Sequence, residues 1–198
     1  MTENLIRKFT SQLILRAGLC LALVIALGLS SGTVMATENL QVKNDIINLM
    51  LCYGTGTDTF GVASNPDSFN DGLDIYAACF TNDAVFRFWP PGTDFNDTAP
   101  IIINGIEAWA HFVGDGLTGD SLGQHMLSNF IVDVNGNTGT LKAYLNATRA
   151  THDASGIVTN VAVANGTYTL YVEKIKNKWM VTQLDLTLIS FVNQYSAP

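Results

Sequence analysis

The chain has 198 residues, of which 47% are hydrophobic and only 14% charged, and its formal charge is −7. That length suits one domain of ordinary size. So acidic a balance argues against nucleic acid or an anionic membrane surface as a partner, because basic patches dominate those affinities.

The first 36 residues read as a secretory leader. Arg7, Lys8 and Arg16 form a basic start, residues 17–29 are apolar without a charge, and small residues follow, with Val34 and Ala36 at the −3 and −1 positions of a cleavage site. The rival is an uncleaved N-terminal anchor, for which the apolar run is short. No cysteine stands directly after that run, which argues against a lipoprotein. The expectation is export, periplasmic or secreted, with a domain at 37–198 and no membrane association after cleavage. That domain holds sixteen acidic and seven basic residues, a net −9. Its two cysteines, Cys52 and Cys79, either pair in an oxidising compartment or stay as buried thiols.

Along the domain, Val42, Ile46, Leu49, Met50 and Tyr53 recur at three- and four-residue spacing, which predicts a helix over 40–54. Gly54 and Gly56 read as its stop. The Gly-, Thr- and Asn-rich stretch 55–70 then reads as a long, lid-like loop. A second helix is expected over 71–80, with Asn70 as N-cap. A short strand follows at 84–89, ended by Pro90-Pro91-Gly92, then another at 101–103 and a third helix from Gly105 containing Ile106, Trp109, Phe112 and Val113. From Gln124 onward the pattern is a meander with strands near 124–134, 139–151, 158–174 and 178–191. Asn135-Gly136 signals the first hairpin. Lys174, Lys176 and Lys178 flank a later turn as a solvated tip. Helices and strands in separate runs define an α+β domain, not alternating βαβ units.

Two strands carry the functional expectations. In the last one, Met180, Leu184, Leu186 and Leu188 share one face by simple alternation, and Trp179, Val181, Ile189 and Phe191 share the other. Apolar residues on both faces call for a second subunit, so a homodimer through the sheet is expected. In the strand from Gln124, alternation puts His125, Leu127, Asn129 and Ile131 on one face. Two polar side chains amid apolar neighbours read as a cavity wall, since buried polar atoms need partners.

Strong local motifs are missing. There is no P-loop and no dinucleotide fingerprint, no Gly-x-Ser-x-Gly elbow, and His111, His125 and His152 are too dispersed for a local metal motif. No metal and no cofactor is expected. Asn-x-Thr sequons begin at Asn96, Asn146 and Asn165, the last two inside expected strands.

What remains is an ordered set: Tyr53-Gly54-Thr55-Gly56-Thr57-Asp58, then Phe80-Thr81-Asn82-Asp83-Ala84, then Gly105-Ile106-Glu107-Ala108, then His125-Met126-Leu127-Ser128-Asn129. In this order the pieces resemble the SnoaL-like branch of the nuclear transport factor 2-like superfamily, over about residues 38–192. The resemblance implies a cone-shaped α+β barrel, three N-terminal helices packed on a curved, mostly antiparallel sheet around one apolar pocket. Ketosteroid isomerases, scytalone dehydratase, polyketide cyclases and non-catalytic proteins share that scaffold, so it does not fix an activity. In its dehydratase-like members an Asp after the first helix acts with the His of this strand, and Asp58 and His125 match those positions. The second histidine of scytalone dehydratase would fall near Arg149 to His152, where His152 matches only loosely.

The chemistry of the pair also stands by itself. An imidazole both takes and gives a proton near neutrality, and a carboxylate on one ring nitrogen fixes its tautomer and supports the imidazolium. Tyr53 and Asn129 are the candidate donors to a substrate oxygen that gains charge. Phe88, Trp109, Leu127 and Arg149 are the candidate substrate-binding residues, Arg149 for an anionic group. The expected function is a cofactor-free lyase or isomerase acting on a small hydrophobic carbonyl compound. The alternative is a non-catalytic protein that binds a hydrophobic ligand in the same pocket.

Overall fold

The computed structural model describes residues 39–62, 64–116 and 121–196; the expected leader lies outside them. The unit from Lys43 onward is α+β, with three helices packed on one six-stranded, mostly antiparallel, curved sheet. Helix α1 covers residues 39–59 and α2 Ser68–Cys79. Strands β1 (Phe80–Trp89) and β2 (Ile101–Asn104) precede α3 (Ile106–Gly116). Four long strands follow: β3 Ser121–Asn135, β4 Thr138–His152, β5 Val158–Ile175 and β6 Lys178–Ser196. The sheet order is β2-β1-β6-β5-β4-β3, and the β1–β6 pairing is parallel. The sheet does not close into a barrel, because β2 and β3 remain its two edges. Among the described residues no helix is long and apolar enough to cross a membrane.

The first helix runs past both glycines expected to stop it. Gly56 sits where a Cβ would come within 2.6 Å of the Tyr76 ring, and a Cβ on Gly54 would lie 3.0 Å from Leu127 Cδ1 and 3.5 Å from His125 Cβ. These glycines let α2 and β3 approach the helix. In these last turns Thr55, Thr57 and Thr59 satisfy their hydroxyls within the helix, donating to the carbonyls of Leu51, Tyr53 and Thr55 at 2.8–3.0 Å. The expected long loop therefore shrinks, and Asp58 stands on the helix. Asn70 lies inside α2, whose N-cap is Asp67. A disulfide joins Cys52 to Cys79 across a Cα–Cα distance of 6.4 Å, tying α1 to the end of α2. Lys178, exposed at the β5–β6 turn as expected, also donates to the Ala78 carbonyl at 2.7 Å in the last turn of α2.

Bulges govern the sheet. Between the pairs Ser128↔Tyr144 and Ile131↔Lys142, two residues of β3 oppose one of β4, and Asn129 there has φ 54°. In β6, Thr182 is extra between Val172↔Val181 and Tyr171↔Gln183, and Ile189 is extra between Asn165↔Ser190 and Gly166↔Leu188. These extra residues re-phase the strand. Trp179 and Val181, then Leu184, Leu186 and Leu188, then Phe191 share the concave side, and Met180 and Ile189 are left off it. The two apolar faces expected for β6 are thus one face in three phases.

The core fills the space between that face and the helices. Ile46, Met50, Tyr53, Tyr76, Phe80, Phe86, Trp109, Tyr168, Leu170 and Leu184 are all buried to 1% exposure or less. Its aromatic centre is continuous: Phe86 stacks on Trp109 at 4.8 Å, and Tyr53 on Tyr76 at 5.5 Å. On the convex side, Arg87 of β1 makes a two-point ion pair with Asp185 of β6, Nε to Oδ1 at 2.7 Å and Nη2 to Oδ2.

Candidate active site

A cavity of about 560 Å³ opens between the helices and the concave face. Small side chains make the room. Ala147 of β4 and Ala162 and Ala164 of β5 line it, where larger residues would have filled it. Aromatic and aliphatic side chains form most of the remaining wall, among them Phe60, Phe88, Trp109, Phe112, Leu145 and Leu186.

Asp58 and His125 meet in this wall. The His125 backbone N–H donates to Asp58 Oδ2 at 2.9 Å, and His125 Nδ1 lies 2.6 Å from Asp58 Oδ1. The carboxylate only accepts, so Nδ1 carries the hydrogen and Nε2 keeps the lone pair while the ring is neutral. Both side chains are mostly shielded, at 13% and 27% exposure. The sequence builds this contact simply. Gly54 and Asp58 are four apart and share a helix face; the glycine admits β3 and the aspartate takes its histidine. Gly123, two residues before His125, also helps, because a Cβ there would come 3.3 Å from Asp58 Oδ1.

Tyr53 lines the same cavity, its ring edge-on to His125 at 6.4 Å and to Tyr168 at 5.2 Å. Burial raises its pKa above the ordinary 10.0, against the neighbouring hydroxyls of Tyr168 and Thr57. Burial also raises Tyr168 and Tyr76 well above that value. These phenols stay protonated at neutral pH; Tyr53 and Tyr168 line the cavity, while Tyr76 gives its hydrogen to Thr57. Thr57 Oγ1 lies 2.7 Å from Tyr76 Oη and donates to the Tyr53 carbonyl, so the group is tied together. The buried indole N–H of Trp109 has no hydrogen bond within ordinary geometry.

Phe88, Trp109 and Arg149 line the cavity as well. Leu127 instead packs against Gly54 beside it. Asn129 is the correction: the β3 bulge turns it away from His125, and it lines a separate cavity with Phe95, Ile131 and Tyr144 on the convex side. Ile131 leaves the His125 face at the same bulge. His111 is exposed beside the Phe69 ring at 4.6 Å, and His152 ends β4, paired with Val158. Sequence reasoning missed Thr57 and Tyr168. Tyr168 had a readable signal, since it follows Ala162, Ala164 and Gly166 at two-residue spacing on β5, a small-residue face that leaves a hollow. Among the described residues no cluster of three His, Cys, Asp or Glu side chains is placed to hold a metal ion.

An open, curved α+β sheet with a helix-covered apolar cavity and a His–Asp pair in its wall defines a class of pocket proteins. The chain belongs to the SnoaL-like domain family, whose model matches residues 38–185. Solved structures agree on the fold. A provisionally named scytalone dehydratase of Novosphingobium aromaticivorans is 16% identical, with a TM-score of 0.56 over 80% of this chain and 91% of that one. A provisionally named aromatic ring hydroxylase of the same organism is 22% identical, with a TM-score of 0.55 over 78% and 94%. LinA is 12% identical, with a TM-score of 0.57 over 81% and 96%. No curated protein matches the chain significantly.

Proposed function

We propose that the cavity is the active site of a cofactor-free lyase or isomerase acting on a small, mostly apolar carbonyl compound. The two-point grip of Asp58 on His125 carries this reading. It fixes the ring and leaves Nε2 as the base. In the proposed reaction Nε2 takes a proton from the carbon next to the substrate carbonyl, and the C–H electron pair moves toward the carbonyl oxygen. The protonated Tyr53 hydroxyl donates to that oxygen as charge develops. The imidazolium, steadied by Asp58, then returns its proton. Delivery to another carbon completes an isomerisation; delivery to a departing β-hydroxyl releases water and leaves a double bond.

Proton exchange tests this without knowledge of the physiological substrate. Cyclic aryl ketones incubated with the protein in heavy water should gain α-deuterium faster than in buffer, as read by mass spectrometry. His125→Ala should abolish the gain while ketone affinity persists. Exchange surviving in that variant would remove His125 from the base role. Ketone binding without exchange in the unaltered protein would favour the plain binding reading, which the largely apolar wall also suits.

We also propose an exported, dimeric protein. The Cys52–Cys79 disulfide supports an oxidising compartment, and the exposed Met126, Ile131 and Tyr144 on the convex side support a partner copy there. Light scattering at micromolar concentration should give twice the chain mass; a monomer would rule the dimer out.

A further inference from the structure

Packing leaves Trp109 of α3 little freedom. It is 1% exposed, and its ring stacks on Phe86 at 4.8 Å and on Phe112 at 5.3 Å. A buried indole ordinarily finds an acceptor, as Trp89 does by donating to the Thr98 carbonyl at 2.9 Å. Trp109 departs from this. It lines the cavity, and its N–H meets no acceptor at hydrogen-bond geometry. The Tyr53 and Tyr76 hydroxyls are near enough for that N–H to favour their ionised forms, yet neither is bonded to it. The indole N–H of Trp179 is unpaired too, but Trp179 is not a cavity residue. Position, and not the missing bond alone, therefore singles out Trp109.

The hydrogens around it can be assigned. Thr57 gives its hydrogen to the Tyr53 carbonyl, so Tyr76 gives its own to Thr57. Tyr168 favours ionisation of Tyr53, while Tyr53 opposes that of Tyr168, so the hydrogen between those two phenols belongs to Tyr168. The Tyr53 O–H and the Trp109 N–H are left to the cavity. A carbonyl oxygen matches them, with two lone pairs and no hydrogen of its own. A ligand hydroxyl would add a third hydrogen where there is already a surplus. We propose that the Trp109 N–H and the Tyr53 hydroxyl together seat the carbonyl oxygen of the ligand, whose apolar remainder lies along Ala147, Ala162 and Ala164. This rests on the carbonyl reading above and deepens it by naming the second donor; it requires binding but no turnover.

The test is nitrogen-15 NMR of the indole N–H groups, assigned through Trp89→Phe and Trp179→Phe. The unaltered protein is titrated with 2-acetylnaphthalene and with 2-ethylnaphthalene, which keeps the shape and lacks the oxygen. The ketone should move the Trp109 indole proton downfield, as a new hydrogen bond does, and the hydrocarbon should not. Trp109→Phe should weaken ketone binding about 3- to 10-fold more than hydrocarbon binding, as expected for one hydrogen bond. A bound ketone that leaves the Trp109 proton in place, or equal shifts from both probes, would overturn the seat. So would equal losses of the two affinities in Trp109→Phe. None of these results touches proton exchange at His125. Conversely, a ketone-specific shift without α-deuterium gain in heavy water would uphold the seat and remove the reaction. Binding of neither probe would sink both readings. Should Trp109→Phe fail to fold, the two titrations of the unaltered protein decide the matter.

Discussion

A histidine held at one nitrogen differs chemically from a free one, and Asp58 imposes that difference on His125. Asp58→Asn should therefore do more than weaken a contact. The amide can still accept from the backbone N–H, but its NH₂ then faces Nδ1 and requires a lone pair there. The ring should switch to the Nε2–H tautomer and lose its free base, a change that imidazole nitrogen-15 shifts read directly. An unchanged tautomer would show that Asp58 does not set it. These two residues were legible because each sits in a short ordered motif. Asn129 was misplaced for a specific reason: counting by twos along a strand fails at an extra residue, and nothing in Ser128-Asn129-Phe130 marks one plainly. Asn tolerates the left-handed backbone found there, which is a permissive signal and not a decisive one.

The helices show how a breaker residue can serve packing instead. Gly54→Ala and Gly56→Ala both gain helix propensity worth up to about 1 kcal/mol. At Gly54 the new methyl meets the end of Leu127, which can rotate aside, so stability should hardly change. At Gly56 it meets the fully buried Tyr76 ring at 2.6–2.7 Å, and overpacking of about 1–3 kcal/mol should dominate. Urea denaturation of the two variants should separate them, and equal stabilities would refute this account of the glycines. The disulfide belongs to the same scale. It closes a 27-residue separation, for which chain entropy predicts about 3–4 kcal/mol. The Cys52→Ala/Cys79→Ala variant should lose about that much, and reducing agent should then have no further effect. In the sequence, element order and strand limits were clear from periodicity and turn residues. The length of α1 was not, because glycine contact with Tyr76 and Leu127 is a tertiary fact.

For the whole molecule, the buried phenols set an alkaline limit. Tyr53, Tyr76 and Tyr168 have folded pKa values above the ordinary 10.0, so above that pH the unfolded chain ionises first. Stability from these groups is complete below pH 10 and falls as pH rises toward the folded values. Denaturant midpoints should drop steeply above pH 10, and in a Tyr144→Phe/Tyr171→Phe/Tyr195→Phe variant, which keeps only these three phenols, tyrosinate absorbance should appear together with unfolding. Absorbance rising well before unfolding would mean that the phenols are not sealed. The bulges of β6 have a consequence for how the molecule can change. Removing one residue from a regular strand turns everything beyond it inside out. Thr182 and Ile189 are surplus to the pairing, so losing either leaves every partner across β5 and every inward side chain where it was. Between 178 and 193 the strand carries slack at these two points, and a deletion scan along that stretch should find folded, ligand-competent protein there and failure between them. Length variation at the cavity mouth, where Phe191 stands, is open to this protein without a new fold.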